Sequence, residues 1–217
     1  KIDPHNPLPE YPRPQMIREK WMNLNGQWNY GITDASASDF EPEGKILVPF
    51  AVESSLSGVG KRISKDDALW YERTFTLPEE WRENRILLHF GAVDWQAEVS
   101  VNGYVAGVHT GGYDPFSLDI TPYLKKSGQQ TLRVKVLDAT DNSFQPRGKQ
   151  CIINDGIWYT PVSGIWQTVW LEKVPETYIK EIKTVPDIEK KIIRIKVSSS
   201  YSTDKKNVDK LSRNLPI

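Results

Sequence analysis

The chain has 217 residues and carries 28 basic against 28 acidic side chains, so its formal net charge is zero. That balance leaves no electrostatic footprint for nucleic acid or an anionic membrane as partner, and no apolar run nears the ~20 residues a membrane-spanning helix needs. A single cysteine, Cys151, excludes an internal disulfide framework, and three scattered histidines make no zinc-binding spacing. Residues 1–20 hold Pro4, Pro7, Pro9, Pro12 and Pro14, which predict an extended arm rather than a helix. This polar, proline-rich start is unlike a signal peptide and does not bear on a leader removed earlier. The compartment is therefore open between cytoplasm, periplasm and secretion.

Short strands follow one another after the arm. Residues 24–32, opened by Asn25-Gly26, and residues 46–50 are strand candidates, separated by a polar loop at 34–44. Residues 54–67 read as a Gly- and Ser-rich loop. Residues 70–77 alternate, placing Tyr71, Arg73, Phe75 and Leu77 on one face, and a turn follows at 78–81. Ile86, Leu88 and Phe90 alternate next. Ala97, Val99 and Val101 then oppose Gln96, Glu98 and Ser100, the pattern of a half-buried antiparallel strand. Asn102-Gly103 suits a tight hairpin turn with positive φ at both centres, and 104–109 returns from it. After Gly111-Gly112 comes an extended segment at 116–120. Thr121-Pro122 predicts the N-cap and first position of a short helix stopped by Gly128. Leu132, Val134 and Val136 alternate again, and 168–171 closes the series. Many short strands and almost no helix predict an all-β sandwich. Beyond residue 174, two further strands are expected at 178–185 and 191–198, followed by a polar tail. Ten Lys/Arg face five Asp/Glu from Lys180 onward, which reads as a solvated face.

The segment VNGYVAGVHTGGYDPFSLDIT at 101–121 resembles the signature of the N-terminal sugar-binding domain of family 2 glycoside hydrolases, which include β-galactosidases, β-glucuronidases and β-mannosidases. SGIWQTVWLE at 163–172 resembles the closing strand of the same domain, and 69–77 and 85–90 extend the likeness. The resemblance implies a galactose-binding-like jelly-roll β-sandwich at 21–175, with 1–20 as an extended arm. It also implies that 176–217 is a linker and the truncated start of an immunoglobulin-like sandwich, which needs ~100 residues when whole.

Glycoside hydrolysis needs two facing carboxyl groups. In the family the acid/base glutamate lies in an Asn-Glu dipeptide on a (β/α)₈ barrel of ~250 residues. No Asn-Glu dipeptide occurs in this chain. The resemblance thus implies no catalytic residue and no cofactor here, and an accessory role, in substrate pocket and domain packing, within a larger β-galactosidase-like enzyme acting on a β-glycoside. Its partners would be the downstream immunoglobulin-like and barrel domains. A free-standing lectin-like module and a purely structural sandwich are the alternatives.

For substrate binding the resemblance points first to Asp141, which follows the strand at 132–137 in the place of a family aspartate that reaches sugar hydroxyls or a nearby cation. A carboxylate accepts charge-assisted hydrogen bonds from paired hydroxyls, although Asp141-Asn142 also suits a plain Asx turn. Arg147 and Lys149 stand in the neighbouring loop as sugar contacts or solvated surface. Trp158 and Tyr159 offer rings for a sugar to stack on, or packing against the sandwich. Trp166 and Trp170 are read as packing, His109 as structural and Cys151 as a small buried residue. Asp138, Asp141 and Asn154 supply oxygen ligands of the kind calcium takes, but their spacing matches no ion loop.

Overall fold

A computed structural model describes residues 3–201 and 213–216. The strands in chain order are β1 (Trp21–Asn23), β2 (Gly26–Asp34), β3 (Gly44–Val48), β4 (Asp67–Phe75), β5 (Arg85–Phe90), β6 (Val93–Asp94), β7 (Gln96–Val101) and β8 (Tyr104–Thr110). They continue as β9 (Phe116–Asp119), β10 (Gln130–Leu137), β11 (Gly164–Ile165), β12 (Val169–Val174), β13 (Ile179–Asp187), β14 (Ile192–Ser199) and β15 (Arg213–Pro216). Four single 3₁₀ turns are the helical elements among the described residues.

A six-stranded sheet in the order β3-β2-β4-β10-β7-β8 lies with a four-stranded sheet in the order β1-β12-β5-β9. From β4 onward the main strands alternate between the two sheets, with β7 and β8 staying together as a hairpin. That alternation closes a jelly-roll sandwich. β6 and β11 form a two-stranded ribbon at its end, and β13-β14-β15 form a separate antiparallel sheet.

The alternation in the sequence explains which face each strand buries. Gln130, Leu132, Val134 and Val136 of β10 are buried while their neighbours are half-exposed. Ala97, Val99 and Val101 of β7 enter the same core with Trp28, Tyr71, Ile86, Leu88, Phe90 and Leu171. Closing off each such large side chain is worth ~1.5–3 kcal/mol. Asn102 (φ 53°) and Gly103 (φ 86°) make the β7–β8 turn as expected. Asn102 does more than turn the chain: its Nδ2 donates to the Tyr123 carbonyl and to Gln130 Oε1, both at 2.8 Å, and its Oδ1 accepts from Thr131 N at 2.9 Å. The hairpin is thereby bolted to the start of β10.

Several expectations need correction. Thr121 is not an N-cap: it lies inside a single 3₁₀ turn, Thr121–Tyr123, that ends well before Gly128. Its hydroxyl donates to Asp119 Oδ1 at 2.6 Å and accepts from Ile86 N at 2.9 Å, so it serves the end of β5 rather than a helix. Strand β4 begins at Asp67 and ends at Phe75, and Leu77 is buried from beyond the strand. Arg73 is half-buried because its guanidinium caps two carbonyls, those of Leu24 and Asn25, at 2.8 and 2.7 Å. The polar tail expected after residue 198 lies mostly outside the described residues, but Arg213–Pro216 pairs with β14.

The arm contains a 3₁₀ turn at Pro14–Met16 and lies across the outer face of the four-stranded sheet. Its anchor is Glu172 on β12, whose side chain is fully closed off from solvent. Arg13 Nη2 reaches both carboxylate oxygens at 2.7 and 2.8 Å, and Arg18 Nε donates to Oε2 at 2.7 Å. Tyr11 Oη and Trp170 Nε1 donate to Oε1, the latter at 2.9 Å. His89 Nε2 stands 3.1 Å from Oε2, its ring stacked on Trp170 with centroids 4.8 Å apart. Burial alone would raise the Glu172 carboxyl, but the imidazole of His89 and the hydroxyl of Tyr11 hold it well below its usual range.

Candidate functional site

The other end of the sandwich is organised by the loop from 138 to 163, between β10 and β11. Asp138 ties both ends of this loop together. Its carboxylate accepts from Thr140 N at 2.7 Å, from Gln145 Nε2 at 2.6 Å and from Ser163 Oγ at 2.6 Å. The first of these is an Asx turn, so the turn forms at Asp138 and not at Asp141. Gln150 holds the middle of the loop against β6. Its Nε2 donates to Asp94 Oδ2 at 3.0 Å and to Tyr113 Oη at 3.3 Å, and its Oε1 accepts from Val162 N at 2.6 Å.

Between these elements lies an open cavity of about 270 Å³ whose lining includes Asp94, Tyr113, Lys149, Gln150, Tyr159 and Trp166. Asp94 is 2 % exposed, and its Oδ1 has no hydrogen-bond partner among the described residues. Burial pushes its carboxyl up to about 7; the Gln150 hydrogen bond opposes the shift, and the nearby acids Asp138 and Glu53 add to it. Glu53 is also raised by burial, although Ser163 N donates to its Oε2 at 3.0 Å. Gly112 packs directly on Asp94: a Cβ there would stand 2.3 Å from Oδ1. Only glycine lets the loop backbone come this close.

Of the five residues expected to bind substrate, Arg147, Lys149 and Tyr159 line this cavity. The Lys149 ammonium sits 5.8 Å from the Tyr159 ring centre, and the Arg147 guanidinium 5.2 Å from that of Trp158. Tyr159 N donates to the Lys149 carbonyl at 2.9 Å and Cys151 N to the Tyr159 carbonyl at 3.0 Å, which fixes the two limbs of the loop side by side. Trp158 and Asp141 stand outside the lining. Trp158 is exposed rather than packed. Asp141 Oδ2 accepts from Cys151 Sγ at 2.8 Å and lies 3.9 Å from Arg147, and the Cys151 contact keeps its carboxyl below the usual range. Asp141 therefore backs Arg147.

Cys151 is half-buried and engaged with Asp141, not a closed-off filler. His109 stacks on Phe116 with centroids 4.2 Å apart, and Trp170 is packed. Trp166 is the exception among the packing tryptophans. It is half-buried, donates to the Gly112 carbonyl at 2.8 Å and lines the cavity. Among the described residues no group of three or more His, Cys, Asp or Glu is placed to hold a metal ion. Asp138 is already occupied by three donors, and Asn154 by Arg62 at 2.7 Å.

The pattern of glycosyl hydrolases family 2, sugar binding domain, matches residues 60–175, more than half of the chain. The chain belongs to glycosyl hydrolase family 2. Its sugar-binding domain is an all-β sandwich, and β1, β2 and β3, which precede the matched residues, complete both of its sheets. A β-galactosidase of Thermoanaerobacter pseudethanolicus is 27 % identical over 188 residues, covering 83 % of this chain and 24 % of that protein. A β-galactosidase of Bacteroides ovatus is 32 % identical over 169 residues, covering 72 % and 18 %. A β-glucuronidase of Felis catus is 28 % identical over 204 residues, covering 79 % and 31 %. The chain thus spans about a fifth to a third of the length of these relatives. The structure of a β-glucuronidase from Ruminococcus gnavus superposes with a TM-score of 0.67 at 23 % identity, over 89 % of this chain and 36 % of that one, a likeness of fold.

Asp94, Tyr113, Gln150 and Trp166 are the site residues that sequence reasoning missed. The available signal was Asp94 itself, an acid set between Val93 and Trp95 at the end of β6. Tyr113 lies within the GGYDPF loop that carried the family resemblance, and Trp166 within SGIWQTVWLE.

Proposed function

We propose that this sugar-binding domain forms one wall of the substrate pocket of a glycosidase acting on a β-glycoside, with catalysis carried out by residues outside these 217. The observation that carries the reading is the Asp94 carboxylate, closed off from bulk water yet lining a cavity with one oxygen unpartnered. A buried acceptor without a donor costs ~1–3 kcal/mol, more when charged, and a sugar hydroxyl donating to Oδ1 would recover that cost. Lys149 and Arg147 would donate to ring substituents, and the faces of Tyr159 and Trp158 would take C–H surface. Asp141 would hold Arg147 in place. The proposed domain boundaries are an arm at 1–20, the jelly roll at 21–175 and the start of an immunoglobulin-like sandwich from 176 onward. That sandwich and a catalytic barrel are the proposed partners within one longer chain. The lengths of the relatives support this reading over a free-standing module.

The test is Asp94→Asn in the full-length enzyme, assayed on a panel of nitrophenyl β-glycosides. KM should rise about tenfold for the accepted substrate, the equivalent of ~1.4 kcal/mol, with the fold unchanged by circular dichroism. An unchanged KM would remove Asp94 from the pocket.

A further inference from the structure

A second, larger cleft of about 660 Å³ adjoins the Asp94 cavity, and Tyr113 and Trp166 line both. Those two rings meet edge to face with centroids 6.3 Å apart, so they form a ridge shared by the two spaces. The far wall of the larger cleft is the N-terminal arm: Leu8, Glu10, Tyr11, Pro12, Arg13 and Pro14 all line it. The near wall adds Trp170, Pro115 and Gln167.

The arm is held in place along its length, so this wall is already formed. Asn25 Nδ2 donates to the Pro7 carbonyl at 3.1 Å and Asn23 Nδ2 to the Leu8 carbonyl at 3.0 Å. Tyr11 and Arg13 are held by the buried Glu172 carboxylate. The lining combines aromatic and proline faces with a few polar groups, Glu10, Gln167 and Thr168. Preformed clefts of roughly 300–1,000 Å³ with mostly apolar walls and a few polar groups are what small-ligand sites look like.

We propose that this cleft is a second carbohydrate subsite, taking the sugar unit linked to the one held in the Asp94 cavity. The inference rests on the sugar reading of that cavity. Its own support is the pair of rings, Tyr113 and Trp166, that lines both spaces and that a linked pair of sugar rings would straddle. The arm thereby becomes a determinant of preference for longer glycans rather than a covering for the sheet alone.

The experiment compares two substrates of the full-length enzyme that share the reacting sugar: a nitrophenyl β-glycoside and a β-linked oligosaccharide. Leu8→Trp fills the cleft from a residue that is 40 % exposed. Gln167→Ala strips an exposed polar side chain from its rim. Neither should disturb folding. Leu8→Trp should lower kcat/KM on the oligosaccharide about tenfold, because the indole occupies space the second sugar would take, and leave the nitrophenyl substrate within about twofold. Gln167→Ala should act in the same direction about threefold. Equal losses on both substrates, or no loss on either, overturn the second subsite. Asp94→Asn should instead lower both substrates together. If it changes neither while Leu8→Trp still discriminates, the Asp94 reading falls, and the claim that the arm cleft takes a unit linked to a sugar at Asp94 falls with it. An enzyme inert toward every β-glycoside overturns both.

Discussion

Glu172 and Asp94 are both carboxylates closed off from solvent in one sandwich, and their surroundings treat them in opposite ways. Glu172 lies under the arm, where two arginines, a tyrosine and an indole donate to it, and its carboxyl is held low. Asp94 lies at the loop end, with one donor, two acidic neighbours and an oxygen left over, and its carboxyl is pushed up. Where the fold needs strength, the buried charge is surrounded by donors. Where a ligand is expected, part of the hydrogen-bonding capacity is left for it.

The largest effect should come from breaking the satisfied member of the pair. Glu172→Ala strands Arg13 and Arg18 beside a buried void and should destabilise the chain by about 3–5 kcal/mol in urea unfolding. Limited proteolysis within residues 8–18 should accelerate at the same time. A loss below about 1 kcal/mol would mean that the arm rests on the sheet without locking it.

The pH dependence separates the two carboxyls. Asp94 has a raised pKa when folded, so between about pH 4 and pH 7 the folded chain binds more protons than the unfolded one, and stability falls as pH rises through that window. Glu172 is depressed, so its contribution is constant above about pH 5 and is lost progressively as the pH falls below that. Thermal melts should therefore show declining stability from pH 5 to pH 7, by up to about 3 kcal/mol, and little further change to pH 8. Asp94→Asn should flatten most of that slope, the remainder belonging to Glu53, which is raised in the same sense. A slope unaltered in Asp94→Asn would assign the titration elsewhere.

Gly112→Ala sharpens the comparison from the backbone side. The added Cβ must displace the Asp94 carboxylate, with an overpacking cost of about 1–3 kcal/mol. The variant should raise KM at least as much as Asp94→Asn does, which steady-state kinetics on the full-length enzyme would measure. The smallest effect should be that of Asp141→Asn, which touches the cavity only through Arg147. KM should rise about threefold or less, with unfolding free energy changed by about 0.5 kcal/mol or less. A tenfold rise would place Asp141 in direct contact with substrate.

Much of the sandwich was legible because β7, its Asn102-Gly103 turn and β10 announce themselves locally: alternation reports a half-buried strand, and positive φ selects Asn-Gly. Strand β5 shows where this stops. Ile86, Leu88 and Phe90 read as its buried face, yet Leu87 and His89 on the opposite face are buried too. His89 is covered by Trp170, Ser117 and the Glu172 carboxylate, partners some thirty to eighty residues later that no local period records. Thr121 fails for a related reason, since a partner from β5 claims its hydroxyl. In the site, Arg147, Lys149 and Tyr159 were legible as polar and aromatic residues of one loop. Asp94, Tyr113 and Trp166 come from three other segments and meet that loop only in the folded chain.

By itself the sequence determined the class of fold, the hairpin at Asn102-Gly103 and the membership of glycosyl hydrolase family 2, because these depend on short-range period, turn chemistry and a contiguous signature. The tertiary structure alone decided which carboxylates matter and how. Asp138, Asp141 and Asp94 are equivalent as acids in a string of letters. Folding surrounds the first with donors, sets the second behind Arg147 with one oxygen unpartnered, and leaves the third buried, short of donors and lining a cavity. The energy of a buried charge is set by what surrounds it in space, and here those surroundings are drawn from residues 53 to 163.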